Sequence, residues 1–159
     1  MEVADIAWSH SALKVYEECP QKYYREKVTK EIPFTQNEAM KRGDDMHKSL
    51  ENGIGLGVPL PPRWAHLQNL VDWGRSLPGV IVEDQMAFTS KLQLCEWFDR
   101  KVKVWGRCKV DLQAHFSPEL ALVTDWKSGK YWGNDGQDAL TALFMFWKYP
   151  KLQTVQTCW

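Results

Sequence analysis

Apolar and polar positions change rhythm near residue 80, and the two halves predict different elements. Before that point the spacing is helical. Leu13 and Tyr16 recur three apart behind Ser9 and Ser11, either of which can cap a helix, and Pro20 ends the element. A second short helix follows through Tyr23 and Tyr24. From Gln36 to about Asn52, Met40, Gly43, Met46, His47 and Leu50 share one helical stripe that ends in the glycine-rich stretch Gly53 to Gly57. Pro59-Leu60-Pro61-Pro62 reads as a rigid connector, after which Trp64, Leu67, Leu70, Val71 and Trp73 form an amphipathic helix closed by Gly74.

After residue 80 the pattern turns strand-like. Val80 to Val82 and Met86 to Phe88 come first, then Val102 to Phe116, then Leu120 to Trp126. A last helix, capped by Asn134 or Asp135, runs through Leu140, Leu143, Phe144 and Trp147 to Tyr149, where Pro150 stops it. The tail Leu152 to Trp159 opens like another strand; the expectation is a longer full-length protein or a strand at a sheet edge. Helices, strands, then a helix and a strand predict an α/β (α+β) domain with a mixed sheet flanked by helices. We expect one domain over 1–159, with an N-terminal helical region over 1–78 and a catalytic sheet and helix over 79–159.

The alternation between Lys109 and Lys127 is specific enough to fix a register. Val110, Leu112, Ala114 and Phe116 alternate on one strand and Leu120, Leu122, Thr124 and Trp126 on the next. A three-residue loop at Ser117 to Glu119 pairs Phe116 with Leu120 and superposes the two apolar sets, whereas a one-residue slip would oppose apolar to polar throughout. In this register Asp111 faces Asp125 with side chains on the same side, about 5 Å apart at Cβ. Like charges so placed destabilise the ladder unless a proton or a cation intervenes. A divalent ion such as Mg²⁺ or Mn²⁺ suits such oxygens, and Lys127, two residues past Asp125, points to the same side. Singly, these are ordinary solvated strand residues; converging, they point to a site.

Composition changes this picture little. Lys plus Arg equals Asp plus Glu at 20 each, so the net field indicates no nucleic-acid partner, although a neutral total can contain a basic groove. Lys101, Lys103, Arg107, Lys109 and Lys130 flank the acids and are candidates for tracking a phosphate backbone. The four cysteines include no C-x-x-C pair, which argues against a zinc knuckle and leaves buried reduced thiols as the expectation. Nine tryptophans are many for this length; some could stack on bases, but core packing is the default. No stretch has the length of a membrane span and the N-terminus has no basic-then-apolar leader, so we expect a cytoplasmic protein without a membrane partner, in the host cytoplasm if viral.

Asp111 followed by Asp125-Trp126-Lys127-Ser128-Gly129-Lys130 resembles the signature of the PD-(D/E)XK nucleases. Ser9-x-Ser11-x-Leu13-x-x-Tyr16-x-x-Cys19-Pro20-x-x-Tyr23 resembles the N-terminal motif of their RecB-like group, which includes the CRISPR-adaptation nucleases. Gly43-x-x-x-His47-x-x-x-Glu51 resembles its histidine motif, and Gln137 its glutamine motif, with Thr141 where the family has a tyrosine. The resemblance implies a restriction-endonuclease-like core in which His47, Asp111, Asp125 and the backbone carbonyl of Trp126 hold the metal. It implies catalytic roles for Asp111, Asp125, Lys127 and Gln137, with Lys127 orienting the attacking water or stabilising developing charge. Read from the helix alone, His47 is a hydrogen-bonded core residue more readily than a ligand, and Glu51 either fixes its tautomer or is solvated. Glu83, before the first strand of the hairpin, is a loose candidate for an accessory acid. Cys19 is a candidate for the first of four cysteines that hold an iron–sulfur cluster in some relatives; the others have no counterpart before Trp159, so a cluster would require a longer chain and none is expected in this one.

These residues lead to a metal-dependent deoxyribonuclease, an exonuclease by its group, acting on single-stranded DNA or duplex ends in recombination, repair or replication. A restriction-type endonuclease and a non-catalytic DNA-binding or scaffold module are the rival functions.

Overall fold

The computed structural model describes residues 6–127 and 135–158. Trp159, Lys130 and the capping position sought at Asn134 or in the Asp135 side chain lie outside them. The first helix, α1 (His10–Glu18), is capped by Ser9, whose hydroxyl accepts from the backbone N–H of Ala12 at 3.2 Å. The short α2 (Pro20–Tyr23) takes Cys19 as its cap and runs into a π-helical turn, Tyr24–Val28.

Helix α3 (Glu38–Leu56) begins at Asn37, which accepts from the Met40 N–H, and ends at Gly57. It is about one turn longer than its apolar stripe suggested, because the left-handed conformation that stops it occurs only at Gly57, with φ 70°. A 3₁₀ turn, Pro62–Leu67, leads into α4 (Gln68–Ser76). Gly74 does not close α4 but lies inside it: a Cβ there would meet Ile54 Cδ1 at 2.8 Å, so the glycine allows α3 and α4 to approach.

The sheet order is β2-β1-β3-β4-β5, with β1 (Ile81–Phe88), β2 (Leu94–Cys95), β3 (Gly106–His115), β4 (Leu120–Thr124) and β5 (Thr154–Cys158). Neighbours are antiparallel except β4 and β5, which are parallel. That parallel pair needs a crossover, and helix α5 (Asp135–Lys148) supplies it. The sheet with its flanking helices is the expected α+β arrangement, and the tail forms its edge strand.

Both faces of the sheet are covered. Phe144 and Met145 of α5 pack with Met86, Phe88, Val110, Ala121 and Val123 on one face; Leu50 and Ile54 of α3 and Val71 of α4 pack with Leu112 and Trp126 on the other. The register of β3 with β4, Leu112 opposite Thr124 and His115 opposite Ala121, is the one that superposes the hairpin's apolar sets. The alternation differs at one level of the sheet. Val110 packs on the α5 side and Leu112 on the α3 side, although two residues apart in a regular strand share a face. On β1, Val82 and Met86 divide in the same way. Both strands change sides at the level of Glu83 and Asp111, where the pairing skips from Val82↔Leu112 to Asp84↔Val110 and Glu83 has φ 53°. An irregular backbone within a sheet re-aims side chains, and here it re-aims two carboxylates.

Candidate active site

Helix α3 brings His47 to the sheet beside its buried residues Met46 and Leu50. The imidazole Nδ1 lies 3.2 Å from Asp111 Oδ1. Asp111 is only 5% exposed, and its other oxygen accepts from the backbone N–H of Trp126 at 2.8 Å. A buried carboxylate needs such partners, and the two bonds fix its plane. The hydrogen bond to Asp111 raises the His47 pKa against the opposing effect of burial, helped by the charges of Asp111 and Asp125 and by a bond to the Trp126 backbone.

Asp125 lies one residue beyond β4, with its N–H donating to the Cys158 carbonyl at 3.3 Å. It is therefore not a ladder partner of Asp111, and the two carboxylates have separate partners instead of meeting across the hairpin. The Asp125 carboxylate is ion-paired with Lys127. Gln137, near the start of α5, links the two: its amide donates to Asp125 Oδ1 at 3.2 Å and its carbonyl accepts from Lys127 Nζ at 3.3 Å. Burial raises the Asp125 pKa and the Asp111 charge adds to it, while Lys127 and His47 oppose.

The structure also brings in Glu83. One candidate ligand atom from each of His47, Glu83 and Asp111 lies within 4.8 Å of the others, a grouping of the size a metal ion spans, and Asp125 is not part of it. Glu83 also binds Lys109. It belongs to β1 itself and reaches the site through its left-handed backbone. Only its acidity between two apolar runs hinted at this; the backbone conformation leaves no trace in the alternation. The donor set, one imidazole and two carboxylates, suits a divalent metal ion.

Other candidates fall elsewhere. The Glu51 carboxylate is held by Lys48 at 2.8 Å and so does not orient His47. The expectation of buried thiols needs correction for Cys19 and Cys158, which are exposed; Cys19 is on the surface because its sulfur caps α2. Cys108 packs against the core on the α5 side, where burial pushes its thiol up to about 11. No helix among the described residues is long and apolar enough to cross a membrane.

Acids from three neighbouring backbone segments, a histidine from the covering helix and a lysine two residues past an acid thus gather at one level of the sheet, and among them His47, Glu83 and Asp111 could hold a metal ion. The chain belongs to the PD-(D/E)XK nuclease superfamily, whose sequence family it matches over residues 7–144. That segment includes His47, Glu83, Asp111, Asp125, Lys127 and Gln137. No curated protein and no solved structure matches the chain. Members of this superfamily are usually metal-dependent nucleases, and membership implies a nucleic acid as substrate.

Proposed function

We propose that this protein is a divalent-metal-dependent DNA nuclease, an exonuclease acting on single strands or duplex ends in recombination, repair or replication. The observation that carries the reading is the buried Asp111, bonded on one side to His47 and on the other to the segment that continues into Lys127. A structural ion pair would not need a histidine, a second acid and a lysine to gather around one buried carboxylate. The RecB-like likeness of the motifs around Ser9, His47 and Gln137 supports the exonuclease assignment within the superfamily.

In this reading His47, Asp111, Asp125 and the Trp126 carbonyl hold Mg²⁺ or Mn²⁺, with Glu83 as an accessory acid. The bound ion would neutralise phosphoryl charge and lower the pKa of a water for attack on phosphorus. Lys127 supplies the cation where negative charge builds on the phosphoryl oxygens. Gln137 is a positioning residue that holds Lys127 and Asp125 in register. Asp111, fixed by the Trp126 N–H, keeps the acid-x-lysine segment against α3.

End-labelled linear and circular DNA incubated with Mg²⁺ tests the reading. Loss of label from linear DNA alone, abolished by EDTA and by Asp111→Asn, is the expected result. Cutting of circles would establish a restriction-type endonuclease instead, and binding without cutting a non-catalytic module.

A further inference from the structure

Two clefts adjoin behind the candidate site. The first, about 570 Å³, is lined by Lys127, Gln137, Arg107, Trp97 and the start of α1. The second, about 410 Å³, shares Ala7 and Arg107 with it and continues past Lys103 to Lys30 and Lys27. The common wall is firm because Trp8 bridges to Gly106: its N–H donates to Trp105 and its carbonyl accepts from Arg107. Six cations, Lys27, Lys30, Lys103, Arg107, Lys109 and Lys127, line this path among the described residues, in a protein whose total charge is zero.

The only carboxylate lining either cleft among these residues, Asp99, is already engaged. Its oxygens accept from the backbone N–H groups of Lys101, Val102 and Glu96. These bonds fold the turn Glu96–Asp99, closed by the Asp99 N–H to the Glu96 carbonyl at 3.1 Å. At the tip of that turn stand Trp97 and Phe98, where small polar residues are usual. Phe98 is 75% exposed. The Arg107 guanidinium lies 5.5 Å from the Trp97 ring centre and 5.1 Å from that of Phe98, with no carboxylate at ion-pair distance among the described residues. A cation held on aromatic faces beside a basic path is the arrangement that takes a phosphate and an unstacked base together.

We propose that single-stranded nucleic acid reaches the candidate site along this path, its phosphates on the cations and one base stacked on the Trp97–Phe98 tip. The interior of a duplex cannot offer that base, because its faces are already stacked. The direction of the path rests on the nuclease reading; the stacking does not.

Fluorescence anisotropy in EDTA, where nothing is cut, tests this with labelled oligo(dT) and a labelled blunt hairpin duplex. Oligo(dT) should bind about tenfold or more tighter than the hairpin, and Phe98→Ala should weaken oligo(dT) by about tenfold while sparing the hairpin. Phe98→Trp should restore the affinity, which a merely structural role would not predict. The Lys27→Ala, Lys30→Ala pair should flatten the salt dependence by roughly 0.7 per lost phosphate contact. Equal binding of both probes, or an unchanged Phe98→Ala variant of unaltered melting midpoint, overturns the proposal. Cleavage of the same oligo(dT) with Mg²⁺ separates the two ideas. The stacking pattern without cleavage sinks the nuclease reading alone; cleavage with unchanged Phe98→Ala binding sinks the single-strand path alone.

Discussion

Strand β3 lies between β1 and β4, and its two neighbours deliver their acids in different ways. On the β4 side a regular hairpin in the register set by apolar alternation leads directly into Asp125 and Lys127. On the β1 side the ladder is interrupted at Glu83, whose left-handed backbone moves a carboxylate to within reach of His47 and Asp111. Regular pairing keeps side chains where sequence periodicity places them, whereas one unusual backbone angle redirects them at a cost of about 1–3 kcal/mol. Strain of that size persists where the surroundings fix it, here through the Lys109 ion pair.

The largest effect should come from the strand both sides share. Asp111→Asn removes the acid common to His47, Glu83 and the Trp126 N–H, and cleavage rate should fall about a thousandfold, consistent with several kcal/mol for a lost metal-ion contribution. Next is Asp125→Asn on the β4 side, expected to lower cleavage about a hundredfold. Glu83→Gln on the β1 side should weaken metal binding about tenfold, the size typical of a supporting ligand, read by calorimetric titration with Mn²⁺. A larger loss for Glu83 than for Asp125 would make β1, not the hairpin, the main source of the site.

Stability gives a finer comparison. Because the folded pKa of Asp125 is raised, the native protein holds more protons than the unfolded chain between the ordinary carboxylate range and the raised value. Metal-free stability therefore falls as pH rises through that window and is level above it. His47, also raised, acts in the same direction at higher pH: its contribution is complete below the ordinary imidazole value and lost as pH passes the raised one. Asp125→Asn should remove the first decline and raise the metal-free melting midpoint at neutral pH by about 2–4 °C, while abolishing most activity. Denaturant titrations across the pH range check it; a lowered midpoint would contradict the burial argument. The smallest effect concerns Cys108, which at pH 8 should resist alkylation by iodoacetamide while the exposed Cys19 and Cys158 react, as peptide mapping would show.

This contrast also marks how far the sequence could be read. The hairpin register followed from Val110 to Trp126 because burial penalises every slip, and the body of α3 from the helical spacing of Met40, Met46 and Leu50. The side switch at Glu83 and Asp111 was hidden, since Val110 and Leu112 are apolar whichever face they serve when helices cover both. The extra turn of α3 and the interior Gly74 of α4 were hidden for another reason. Glycine that stops a helix and glycine that lets a neighbour pack closely look alike in sequence, and only the conformation of Gly57 and the proximity of Ile54 to Gly74 tell them apart. Gln137 was legible by resemblance, but its bridge between Lys127 and Asp125 depends on the crossover placing α5 over the end of β4.

Anomalous scattering from crystals soaked in Mn²⁺ tests the central claim most directly. The account predicts the strongest peak at bonding distance from both the His47 imidazole and the Asp111 carboxylate. A peak away from that pair, or none at saturating Mn²⁺, would contradict it.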